Sequence, residues 1–129
     1  MDALSLGIAT AADRIASGID ELRRTRATVG RPIVTGFSQG GMLAFTLAVK
    51  HPELFGHAVA IGGWLPPPLV PEAKTAGVDF PSIDALNGTD DKAVFFEPTQ
   101  LVVQTLTDRG FAVKLHSYEG VGHMITPDM

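Results

Sequence analysis

The chain has 129 residues, one domain's worth and enough to bury a real core. Hydrophobic residues make up 45% and charged residues 19%, which describes a globular protein and argues against disorder. The net charge of −4 gives no electrostatic footprint for nucleic acid or an anionic membrane, and the absence of cysteine excludes a disulfide framework, a thiolate nucleophile and a cysteine-based metal site.

At the N-terminus, Asp2 stands where a signal peptide carries positive charge, and Asp13, Asp20 and Glu21 are foreign to a transit peptide. No apolar stretch approaches the length of a bilayer span. With a cysteine-free composition, these features lead to the expectation of a cytoplasmic protein without stable membrane insertion. Residues 2–26 read as one amphipathic helix. Leu4, Ile8, Ala11, Ala12, Ile15, Ile19 and Leu22 recur at helical spacing and are expected to pack on a sheet.

Gly30 and Pro32 punctuate the exit, and a β-branched run at 33–35 leads into Gly36-Phe37-Ser38-Gln39-Gly40-Gly41. Strand, sharp Gly-x-Ser-x-Gly turn and helix follow one another without a gap, which is the context a nucleophile elbow requires. The serine must adopt a strained conformation at the tip of such a turn, so strand and helix nearly collide. Gly36 and Gly40 are expected to relieve that crowding by lacking a Cβ, and Gly41 to let the helix start close to the sheet. The Gln39 amide at the helix N-terminus would face negative charge developing on a substrate carbonyl. The helix after Ser38 is apolar on nearly every side to about Lys50, which marks it as buried. His51 at its end reads as a donor to the last carbonyls.

A strand at 57–61 leads into Gly62-Gly63-Trp64-Leu65-Pro66-Pro67-Pro68. His57 reads as structural and the prolines as a rigid loop, with a proline-ligand module as the minor reading. Leaving a strand next to the elbow, this loop puts Trp64 and Leu65 where they line an apolar acyl pocket, unless Trp64 simply caps the core. A strand at 82–87 ends in Gly88-Thr89-Asp90-Asp91, and a helix at 97–108 turns Leu101, Val102, Thr105 and Leu106 inward before Gly110 stops it. The last strand, 111–118, carries Phe111, Val113 and Leu115 on one face and Lys114 and His116 on the other, as an edge strand does. Mid-strand Asp84 has no explanation in the sequence. His123 follows in a glycine-flanked turn. Ser38, Asp91 (with Asp90 as the rival acid) and His123 each follow the C-terminal end of a strand, and Ser, acid, His is the chain order of the α/β-hydrolase arrangement.

These segments resemble the phospholipase/carboxylesterase family of α/β-hydrolases, which includes the acyl-protein thioesterases. The resemblance rests on Thr35-Gly36-Phe37-Ser38-Gln39-Gly40-Gly41, Gly62-Gly63-Trp64-Leu65-Pro66, Asn87-Gly88-Thr89-Asp90-Asp91 and Gly120-Val121-Gly122-His123. It implies Asp91 as the acid and places Asn87 where family members commonly carry histidine. Members of the family begin with further strands, one ending in a His-Gly-Gly-type loop that gives a second oxyanion N–H, and they close with a final helix. The expectation is therefore a partial α/β-hydrolase, a single domain over 1–129 with about four parallel strands flanked by helices. It would have one uncovered sheet edge favouring a homodimer and an oxyanion hole reduced to Gln39. The expected chemistry is hydrolysis of carboxylic esters or thioesters by Ser38, Asp91 and His123, with no cofactor and no metal. The competing expectation is a truncated, non-catalytic fragment that binds or self-associates.

Overall fold

Asp2 starts the fold by accepting the Ser5 amide at 2.8 Å and the Ser5 hydroxyl at 3.1 Å, a side-chain cap for helix α1, Ala3–Thr25. Caps of this kind are worth about 1 kcal/mol. The computed structural model describes residues 1–129. After α1 come β1 (Ile33–Phe37), α2 (Gln39–Lys50), β2 (His57–Ile61), β3 (Ser82–Gly88), α3 (Phe96–Asp108) and β4 (Val113–Tyr118). Short 3₁₀ turns occupy Pro52–Leu54 and Pro67–Leu69.

All four strands are parallel and lie in the order β1-β2-β3-β4, so the chain adds each new strand beside the last. Advancing always in one direction with right-handed crossovers puts the connecting helices on one face of the sheet. That face holds the main core, in which Phe45 and Val49 of α2 and Val102 and Leu106 of α3 pack on Ala58, Ala60, Ile83 and Ala85. Small strand residues let the helices approach closely. On the other face Ile33, Thr35, Ser82, Lys114 and His116 remain exposed, so no helix covers it. The observed architecture is the expected partial α/β-hydrolase fold, with β1 and β4 as its two edges.

Several expectations need correction. Helix α1 packs on α2 and on the turn at Pro52–Leu54, and Val34 is the sheet residue that reaches this second cluster of Ala12, Ala16, Leu47, Leu54 and Phe55. Its buried stripe is Ser5, Ile8, Ala9, Ala12 and Ala16, while Leu4, Ile15 and Leu22 are exposed. Alanine at three of these five positions lets α1 approach α2 closely, since interhelical distance follows the size of the contacting side chains. In α3 the inward residues are Thr99, Val102, Val103 and Leu106, and Leu101 faces out. His51 Nε2 donates to the Asp13 carboxylate of α1, 2.8 Å away, and so ties two helices together. Phe111 is buried ahead of β4, which begins two residues later.

Candidate active site

Ser38 has φ 60° and ψ −119°, the one non-glycine residue with positive φ in the chain. Such a backbone state costs about 1–3 kcal/mol and persists only where the surroundings enforce it. The enforcement is visible on both sides. The Ser38 amide donates to the Ile61 carbonyl at 3.0 Å, which extends the β1–β2 ladder by one step, and the Ser38 carbonyl then accepts the Met42 amide at 3.0 Å, the first turn of α2. A Cβ on Gly36 would run into the Gly40 carbonyl group, and one on Gly41 would lie 2.8 Å from Gly63 Cα. A Cβ on Gly40 would meet nothing within 4 Å. The crowding expected at both motif glycines therefore belongs to Gly36, because its side-chain direction points at the helix start.

The Ser38 hydroxyl makes no capping bond to α2. It lies 2.9 Å from His123 Nε2, and His123 Nδ1 lies 2.8 Å from Asp91 Oδ2. An ionised carboxylate can only accept, so Nδ1 carries the proton and Nε2 is left to accept from the Ser38 O–H. Asp91 is buried, and its other oxygen, Oδ1, accepts the amides of Ala93 at 2.9 Å and Val94 at 2.8 Å. Asp90 is exposed, and its amide bonds the Val121 carbonyl at 3.0 Å. Of the two rival acids, Asp91 is the one brought to the histidine. The His123 ring packs on Phe37 with centroids 4.7 Å apart and planes tilted by 30°.

The turns that carry these residues extend the sheet ladder beyond the strands. Gly62 N–H bonds Leu86 O at 2.7 Å and Thr89 N–H bonds Tyr118 O at 3.0 Å, so each loop leaves its strand in register with its neighbour. Thr89 Oγ1 also accepts the Gly120 amide at 2.9 Å. Gly62 has φ +53°, and a Cβ there would press on Phe37 at 3.2 Å and on His123 Nδ1 at 3.4 Å.

Trp64 lines an apolar cavity of about 230 Å³ together with Leu4, Met42, Ala93, Val94, Phe95 and Pro98. Met42 is one turn past Ser38, and Ala93 and Val94 are the residues whose amides hold Asp91, so this cavity lies against the turns that carry Ser38 and Asp91, although no triad residue lines it. Leu65, expected beside Trp64, is fully buried in the main core and is absent from the cavity lining. Two larger cavities, of about 450 and 510 Å³, lie away from Ser38 at the opposite end of the strands and along α3, whereas another of about 360 Å³ is lined by Asp91 with Thr89, Lys92, Phe95 and Phe96. Gln39 opens α2, and the first N–H groups of a helix lack intrahelical partners. Phe37, Met42, Ala93 and Val94 carry no functional signal of their own in the sequence, although each lies within four residues of a motif residue.

Mid-strand Asp84 is held by histidines on both neighbouring strands. Its carboxylate bridges His116 Nε2 at 2.7 Å and His57 Nε2 at 2.9 Å across three adjacent strands, and His57 Nδ1 reaches Ser82 Oγ at 2.6 Å. The hydrogen bond from His116 leads in holding the Asp84 carboxyl below its ordinary range, against the upward push of burial. Asp84 and His116 sit 32 residues apart on β3 and β4, as do Asp91 and His123 beyond the ends of the same strands. Nowhere do three or more histidine, cysteine, aspartate or glutamate side chains converge in a way that would hold a metal ion. No helix is long and apolar enough to cross a membrane.

Residues 3–129 match the family model described as Phospholipase/Carboxylesterase. The chain belongs to this family. It is 31% identical over 94 residues to a probable carboxylesterase SOBER1-like protein of Arabidopsis thaliana, covering 72% of this chain and 36% of that protein. A probable carboxylesterase of Oryza sativa subsp. japonica is also 31% identical, over 101 residues, covering 74% and 36%. Among solved structures, esterase PE8 superposes with a TM-score of 0.82 at 27% identity, over 99% of this chain and 60% of that one. A variant of Arabidopsis thaliana SOBER1 gives 0.76 at 25% identity, over 98% and 60%. The chain thus spans little over a third of the curated relatives and about three fifths of the solved ones. The family match and the superpositions agree with the partial α/β-hydrolase fold described above.

Proposed function

We propose that this phospholipase/carboxylesterase family member hydrolyses carboxylic esters or thioesters through an acyl-enzyme. The observation that carries the proposal is the unbroken relay from Asp91 Oδ2 to His123 to Ser38 Oγ, with both contacts under 3 Å. In this reading Ser38 Oγ attacks the acyl carbonyl while His123 Nε2 takes its proton. Asp91 holds the imidazole tautomer and supports the positive charge that forms on the ring. The Gln39 N–H stabilises the oxyanion, a role whose loss typically costs about 10²–10³ in rate. His123 then returns the proton to the departing alcohol or thiol, and deacylation repeats the sequence with water in place of Ser38.

Trp64 forms the wall of the acyl site and Leu65 buttresses its loop from within the core. No metal or organic cofactor takes part in these steps, and a cytoplasmic location fits a cysteine-free chain. The test is labelling of the purified protein by a fluorophosphonate probe, beside Ser38→Ala, His123→Ala and Asp91→Asn, followed by ester and thioester panels. Labelling lost with Ser38→Ala and cut sharply by His123→Ala supports the proposal. A folded parent that stays unlabelled overturns it. One observation favours a second reading, that of a self-associating or binding module: β1 ends the sheet with an open edge and an exposed Ile33. In that reading a homodimer forms through β1, which light scattering reads directly as solution mass.

A further inference from the structure

Asn87, at the end of β3, is only 1% exposed and faces the helix-covered side with Ile83 and Ala85. Its Nδ2 donates to the Gly88 carbonyl and to the Val94 carbonyl, both at 3.2 Å. Those two carbonyls mark the beginning and the end of the turn that bears Asp91. Gly88 O also accepts the Asp91 amide at 3.3 Å, and the Ala93 and Val94 amides grip Asp91 Oδ1. One side-chain amide therefore closes the loop whose backbone orients the carboxylate. Its orientation is fixed by chemistry, because a flipped amide would set Oδ1 against two carbonyl oxygens.

The other half of the same amide is left at a loss. Asn87 Oδ1 is buried without a partner, a state that forfeits its hydration with nothing in return. An apolar side chain of similar size would avoid that cost, so what Asn87 contributes lies in what its Nδ2 holds. We infer that Asn87 is a positioning residue for the acid: it ties residue 88 to residue 94, so that the loop amides fix Asp91 Oδ1 and leave Oδ2 aimed at His123 Nδ1. Only the consequence for rate rests on the hydrolase reading; the consequence for geometry stands without it.

The test compares the parent with Asn87→Leu and Asn87→His, using two readings that need no activity and one that does. In Asn87→Leu the downfield NMR signal of the His123 Nδ1 proton broadens or disappears, and the Ala93 and Val94 amides exchange at least about tenfold faster as the loop opens. If the chain hydrolyses esters, kcat falls about 10- to 100-fold, since a displacement of about 1 Å is enough for that, while KM stays within about twofold. Asn87→His, whose ring N–H can donate to Val94 O, recovers the signal in part. A cooperatively melting Asn87→Leu with an unchanged signal and unchanged exchange overturns the inference. Should Asn87→Leu fail to fold, the smaller Asn87→Ser, too short to reach Val94, is read in the same way. An unreactive parent whose Asn87→Leu variant shows both NMR changes refutes the hydrolase reading and leaves the positioning role standing.

Discussion

The two glycines that frame Ser38 in the elbow motif are predicted to respond to alanine in opposite directions. At Gly36 the new methyl group would overlap the Gly40 carbonyl and lie 2.8 Å from Gly40 Cα. Both are backbone atoms held by β1 on one side and by the first turn of α2 on the other, so neither can rotate away. Relief requires strand and helix to separate by about 1 Å, at the upper end of overpacking costs, about 3 kcal/mol. In a domain of this size each kcal/mol moves the melting temperature by about 3–5 °C, so Gly36→Ala should melt about 9–15 °C below the parent. The same shift pulls Ser38 from His123 and should slow fluorophosphonate labelling about 100-fold. At Gly40 the methyl group meets nothing within 4 Å. Gly40→Ala should therefore gain about 0.5–1 kcal/mol of helix propensity and unfolded-state entropy, and melt about 2–4 °C higher. Thermal melts by circular dichroism and labelling time courses on both variants give the answer. A Gly36→Ala protein that melts within about 2 °C of the parent and labels at the parent rate would refute the steric account of the elbow.

Asp84→Asn removes a carboxylate held low by His116 and His57. A carboxyl lowered by folding contributes stability that is present above its unfolded value and is lost as pH falls through the folded one. The parent should exceed Asp84→Asn by about 1–2 kcal/mol at pH 6, as expected of partly exposed charged hydrogen bonds. The gap should close below about pH 4, and an equal gap at pH 6 and pH 3 contradicts the account. Trp64→Ala removes a whole indole from the apolar cavity and should favour bulkier acyl groups over short ones by at least about tenfold in kcat/KM, since even one methylene in an apolar pocket is worth about that much. An unchanged chain-length profile places the acyl group elsewhere. Ile33→Lys sets a charge on the exposed end of the open β1 edge. It should shift any dimer toward monomer in light scattering, and an unchanged dimer mass rules that edge out as the interface.

The sequence by itself determined what depends on near neighbours in the chain. Gly36, Ser38 and the apolar run behind them specify a strand, a strained turn and a buried helix, because strand-to-helix geometry at that turn is a local steric problem. The bounds of β2, a short apolar run closed by Gly62, and the end of α3 before Gly110 were legible for the same reason. The chain order of Ser38, Asp91 and His123 carried the fold class. The tertiary structure decided what depends on residues distant in the chain. Asp84 is unreadable until β2, β3 and β4 lie side by side and bring His57 and His116 to its two oxygens. Asp90 and Asp91 are chemically identical neighbours, and only the packing of the loop against the Ala93 and Val94 amides turns one toward His123. In α1 only Ile8 and Ala12 of the expected stripe are buried, beside Ser5, Ala9 and Ala16 outside it, because which side of the helix turns inward depends on the fit to α2. Local patterns record which faces are apolar, whereas the choice of partner for each face is settled by shape when separate elements meet.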